Sequence, residues 1–103
     1  MSIHTLPPKD PEERVPVTFD FSDEMPQSDS ILTAGVAHEA VVEGTDAAPN
    51  VIDGAAQISG RQVVQWMKLG VATASYRFKC SVTTAEGRTL VLRTVLPVTQ
   101  ELA

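Results

Sequence analysis

The sequence predicts an all-β fold: one antiparallel β-sandwich of about seven short strands behind an extended, proline-rich N-terminal arm. Three observations predict it. Apolar and polar residues alternate from Val15 to Ser22 and from Tyr76 to Thr83, which is the period-two pattern of half-buried strands, and Leu90 to Val98 is a further run rich in leucine and valine. Glycine and other turn residues punctuate the chain between these runs. Helix is poorly supported: around Ala34 to Val42 Gly35 weakens it and no cap is convincing, and Arg61 to Leu69, where the Val63/Met67 spacing also suits a short helix, has the length of a strand.

Residues 1–14, MSIHTLPPKDPEER, read as an arm distinct from a domain spanning 15–103. Pro7, Pro8 and Pro11 block both helix and a central strand, and Ile3 and Leu6 are the only large aliphatic residues. Such a segment is expected to order on a partner, with Ile3, Leu6, Pro7 and Pro8 as anchors, and its removal is expected to leave the melting temperature nearly unchanged. Val15, Val17, Phe19 and Phe21 then face one way and Pro16, Thr18, Asp20 and Ser22 the other; Pro16 suits an edge or a strand start. Residues 22–30 form an acidic, turn-rich loop. Residues 31–36 make a second strand, with weaker candidates at 40–43 and 51–58.

Arg61 to Leu69, bracketed by Gly60 and Gly70, has the length of a strand buried on both faces, with Trp66 as a core anchor. Tyr76, Phe78, Cys80 and Val82 point inward against Arg77, Lys79, Ser81 and Thr83. Residues 84–88 close a hairpin through Gly87. In the last strand Leu90, Leu92, Thr94, Leu96 and Val98 share one face, and Val91, Arg93, Val95 and Pro97 the other. A tyrosine entering an alternating strand resembles the tyrosine corner of immunoglobulin-like and fibronectin-like domains, so the strands from Tyr76 and Arg88 take the places of F and G. The expected core is Phe19, Tyr76, Phe78, Cys80, Val82, Leu90 and Leu92.

Chemistry is sparse. The chain has 103 residues, 43% hydrophobic and 20% charged, the profile of one globular domain. Apolar runs are too short for a membrane span, no apolar secretory segment is evident, and a lone Cys80 suits a reducing cytosol. The net charge is −5, divided as −8 over residues 1–50 and +3 over 51–103. A net negative chain disfavours nucleic acid. The uneven charge reads as solvated strand faces, or as a means for copies to meet acid face to basic face.

No catalytic residue is predicted. A nucleophile needs a base within reach, and the only histidines are His4 in the arm and His38 on a loop or weak strand. Cys80 faces inward, where a thiol is inert. Asp20, Asp23, Glu24 and Asp29 lack the spacing of a calcium loop, and glycines scattered singly make no phosphate cradle, so neither metal nor cofactor is expected. Val91, Arg93 and Val95 on an edge-side strand read as a contact patch for a partner.

Several segments share an order and spacing. Lys9-Asp10-Pro11-Glu12-Glu13 precedes Phe19-Asp20-Phe21-Ser22-Asp23, and Asp29-Ser30-Ile31 follows. Later come Trp66-Met67-Lys68-Leu69-Gly70, then Tyr76, then Val82-Thr83-Thr84-Ala85-Glu86-Gly87-Arg88. Over about residues 9–98 this resembles the phage fiber–tail adaptor family, small structural proteins of tailed bacteriophages. Phe21 stands where the family commonly has tryptophan, Val71 replaces a second glycine, and residues 37–56 match least. The resemblance implies a non-enzymatic virion protein, made in the host bacterial cytoplasm. It would join tail, fiber or head–tail connector components through protein contacts. Its partners would be tail, fiber, portal or capsid proteins, without nucleic acid or membrane, and it would be homo-oligomeric only within the assembly. A capsid decoration or cementing protein is the alternative within that class, and a small inhibitor or regulator of a host protein is the alternative outside it.

Overall fold

The structure, a computed structural model, describes residues 3–6 and 8–99, with the backbone alone for residues 3–5. Among the described residues there are seven strands: β1 (Ile3–Thr5), β2 (Val15–Asp20), β3 (Ile31–Glu43), β4 (Ile52–Ser59), β5 (Gln62–Met67), β6 (Ser75–Thr84) and β7 (Thr89–Pro97). They form two facing sheets, one ordered β1-β7-β6-β3 and the other β2-β5-β4. Strands 7-6-3 opposite 2-5-4 reproduce the G-F-C against B-E-D order of immunoglobulin-type sandwiches, with β6 and β7 in the F and G places. The accessible surface is 6000 Å², close to the roughly 5,700 Å² that size scaling gives for this mass, so the chain buries a full single core despite its elongated 47 × 21 × 21 Å outline.

The alternating strands fold as their pattern requires. Tyr76, Phe78, Cys80 and Val82 on β6 are buried and meet Val17, Phe19 and Phe21 from the β2 side, with Val63 and Met67 of β5 completing the centre. On β7 the expected inner face is the inner face, but the buried positions are Thr94 and Leu96, with Val98 just beyond the strand. Leu90 and Leu92 pack against the core from a half-buried position.

Four features depart from the sequence reading. The fold is not wholly antiparallel, because β1 runs parallel to β7, pairing Ile3 with Arg93 and Thr5 with Val95. Residues 31–43 are one long strand, paired to β6 from end to end through register shifts near Thr33, Ala40 and Glu43; these irregularities and the small residues Gly35 and Ala37 hide the alternation that marks a strand. Met25 drops from the acidic loop into the core at 5% exposure. Trp66 is on the outer face of β5, not in the core. There the Arg14 guanidinium lies 4.1 Å from its ring centroid and pairs with Asp53, a cation–π arrangement at a half-exposed site.

Gln65 takes the inward place beside Trp66 because β4 is irregular opposite it. Pairing of β4 with β5 jumps from Asp53 to Gln57, which frees carbonyls inside the sandwich. The Gln65 amide donates to the carbonyls of Asp53, Gly54 and Trp66 at 3.2, 3.0 and 3.1 Å. A buried polar side chain is tolerated where it satisfies such groups.

Candidate interaction surface

The N-terminal segment is built into the sandwich at one pole. Beyond β1, the Leu6 amide donates to Val95 O at 2.8 Å and the Lys9 amide to Pro97 O at 2.9 Å, while Thr99 returns a bond to Lys9 O at 2.8 Å. The Lys9 side chain is almost wholly buried. Its ammonium donates to Leu69 O at 2.6 Å and to Asp10 O at 2.7 Å. Burial lowers its pKa from the ordinary lysine value, opposed by the nearby carboxylates of Glu13 and Asp10. Leu6 packs against the core and Pro8 is exposed; Pro7 and the side chain of Ile3 lie outside the described residues.

The sequence places a boundary at Val15 and an arm ordered by a partner; the parallel edge of β7 offers this segment hydrogen bonds that a proline-broken stretch cannot make for itself. A cleft of about 390 Å³ is left between this segment and β2, lined by Leu6, Pro8, Lys9, Val15, Val17 and Leu96 among others.

At the same pole Tyr76 closes the tyrosine corner. Its hydroxyl accepts from the Val71 amide at 2.8 Å and donates to Asp46 Oδ2 at 2.7 Å. Burial raises its pKa above the usual phenol value, the Val71 amide opposes this, and the Asp46 carboxylate adds to it. Gly70 makes the loop possible. Its φ is +99°, and a Cβ there would stand 2.8 Å from Val98 Cγ2, closer than side chains tolerate, with Tyr76 Cε1 at 3.4 Å.

At the opposite pole Asp29 organises the β6–β7 hairpin. Its carboxylate accepts from the amides of Ser30 and Glu86 at 2.9 and 3.0 Å and pairs with Arg88 at 2.8 Å. Burial works to raise its pKa, but hydrogen bonds from Thr84, Arg88, Glu86 and Ser30 outweigh it and hold the carboxyl at about 2. A depressed carboxyl stabilises the fold fully above its unfolded value and less as pH falls through the folded one. Thermal melts of the wild type are thus expected to lose stability between the ordinary value of 3.8 and about 2. Asp29→Asn should melt lower at neutral pH and lose less over that interval; equal acid sensitivity in both proteins would count against this role.

The other acidic-loop carboxylates do not join it. Asp20 accepts from Ser22 and Gln62, and among the described residues no group of three or more His, Cys, Asp or Glu side chains is placed to hold a metal ion. Cys80 is buried, and loss of solvent pushes its thiol up to about 12. His38 lies on β3 with its ring edge-on to Tyr76 and Phe78, at centroid distances of 5.6 and 5.8 Å.

The outer face of the four-stranded sheet brings together residues that the sequence separates. Val91, Arg93 and Val95 on β7 stand beside Ser81, Lys79 and Arg77 on β6. They are half-buried, and β7 is an interior strand of its sheet rather than an edge. Glu39, at a register shift of β3, reaches Arg93 Nε at 2.9 Å and Arg77 Nε at 3.3 Å. The Arg93 hydrogen bond lowers the Glu39 pKa against an opposing effect of burial, and the charges of Arg93, Arg77 and Lys79 lower it further. Three cations thus surround one carboxylate. Sequence reading missed Glu39, Arg77 and Lys79 as a group, because only the β3–β6–β7 register assembles them.

Residues 9–97 match Gp77, described as the podophage GP4 fiber-tail adaptor protein gp77. No curated protein matches the chain.

Proposed function

The chain belongs to the podophage fiber–tail adaptor family, and from that premise we propose that it is a structural component of the virion that joins fiber to tail through protein–protein contacts. The observation that carries this reading is the family match over residues 9–97. The residues at which the chain resembles the family support it, because they are spent on holding a rigid body together. Lys9 is tied to Leu69, Gly70 packs on Tyr76 and Val98, and Asp29 is joined to Arg88. A signature of that kind is a scaffold signature, and it leaves partner contacts to the surface.

Particles from a phage lacking this chain are expected to carry heads and tails but no fibers, and purified chain added back should restore them. Normal fibers on the deleted particles would overturn the reading. Intact fibers on fragile capsids would point instead to a cementing role, and normal particles with an altered host to a regulator.

A further inference from the structure

Two surface patches of opposite character lie apart from the contacts that hold the fold. The first is the loop between β5 and β6. Leu69 and Val71 are 52% and 45% exposed, and the loop carries two non-glycine residues at positive φ, Leu69 at 54° and Thr73 at 72°. Such conformations are disfavoured for residues with a Cβ and persist only where the surroundings impose them. Here the Lys9 ammonium grips Leu69 O at 2.6 Å, and the Tyr76 hydroxyl receives the Val71 amide at 2.8 Å. Two large apolar side chains are therefore held out in water on a backbone that has little freedom to fold them away. Carboxylates flank them: the Asp10–Glu13 turn wraps the Lys9 ammonium, and Asp46 is bonded to Tyr76.

The second patch is the outer face of the four-stranded sheet. Val91 and Val95 lie there among Arg77, Lys79 and Arg93, with Glu39 paired to Arg93 and Arg77. An apolar centre with a charged rim is the usual make-up of a protein contact. The two patches are complementary in both respects: apolar to apolar, and acidic rim to basic rim.

We propose that the strained loop of one copy docks through Leu69 and Val71 on the Val91–Val95 face of a second copy of this chain, with Asp10, Glu13 and Asp46 meeting Arg77, Lys79 and Arg93. The occupant is a second copy because one chain carries both halves and their charges match. The contact is heterologous, so every added copy leaves one half of each kind open, and association continues into a row or closes into a ring. This goes beyond the adaptor reading and stands without it.

Sedimentation of the purified full chain tests it, from about 10 μM to about 1 mM, the range in which weak contacts become populated. The wild type is expected to grow past a dimer with concentration, and to do so less at high salt, where charged rims are screened. The double variant Leu69→Ser/Val71→Ser and the variant Lys79→Glu should each stay monomeric with unchanged circular dichroism; Val95→Asp replaces the latter if it unfolds. Mixed together, a loop variant and a face variant retain one working half each and should give a dimer that stops at two. A wild type that stays monomeric throughout, variants that associate like the wild type, or a mixture that stays monomeric or grows past two would overturn the proposal. Any of these results would leave the fiber-restoration experiment unaffected.

Discussion

Tyr76→Ala is expected to lower stability by about 3–5 kcal/mol, the range for emptying a buried aromatic site. The ring is fully buried at the start of β6, its edge lies against Gly70, and its hydroxyl joins Val71 to Asp46. Tyr76→Phe separates the two contributions. It keeps the packing but strands the Val71 amide and one Asp46 oxygen, at a cost of about 1–3 kcal/mol. Denaturant unfolding of both variants reads the difference directly. Near-equal losses would assign the corner to its hydrogen bonds rather than to its ring, and a neutral Tyr76→Ala would remove it as a structural device.

Lys9→Met is expected to cost about 2–4 kcal/mol, because it leaves carbonyls that the ammonium satisfied without a donor. Methionine retains most of the apolar stem, so the loss isolates the head group. A paired truncation extends the test. Removing residues 1–8 keeps Lys9 and should lower the melting temperature modestly, whereas removing residues 1–13 should lower it far more, contrary to what the proline-rich composition leads one to expect. Equal melting temperatures for the two truncations would show that Lys9 has no special part.

The fold was legible where local periodicity carries it and hidden where distant pairing does. Tyr76 to Val82 alternates cleanly, because that strand has one wet face and one dry face, and the aliphatic run from Leu90 to Val98 marks the strand beside it. β3 does not, because bulges shift its register and small residues sit at Gly35, Ala37 and Ala40. Trp66 misled because aromatic residues are usually buried, and nothing local shows that β4 leaves carbonyls for Gln65 to satisfy. Lys9 misled for the mirror reason: lysine is rarely buried, and its acceptor Leu69 O is sixty positions away along the chain.

The interaction surface was legible only in part. Val91, Arg93 and Val95 were picked out by their alternation, but their charged neighbours come from β3 and β6. The prominence of Leu69 and Val71 depends on a loop conformation that composition does not encode.

The parallel seating of β1 on β7 has a mechanical consequence. Along a parallel pair, the chain enters β1 at one end and leaves β7 at the other. Tension applied between residue 3 and residue 99 therefore pulls the two strands lengthwise past each other. The bonds from Leu6 to Val95, from Lys9 to Pro97 and from Thr99 to Lys9 then share the load at once, whereas an antiparallel pair pulled from its open end peels apart one bond at a time. The seam between the two ends of the domain is thus oriented to resist shear.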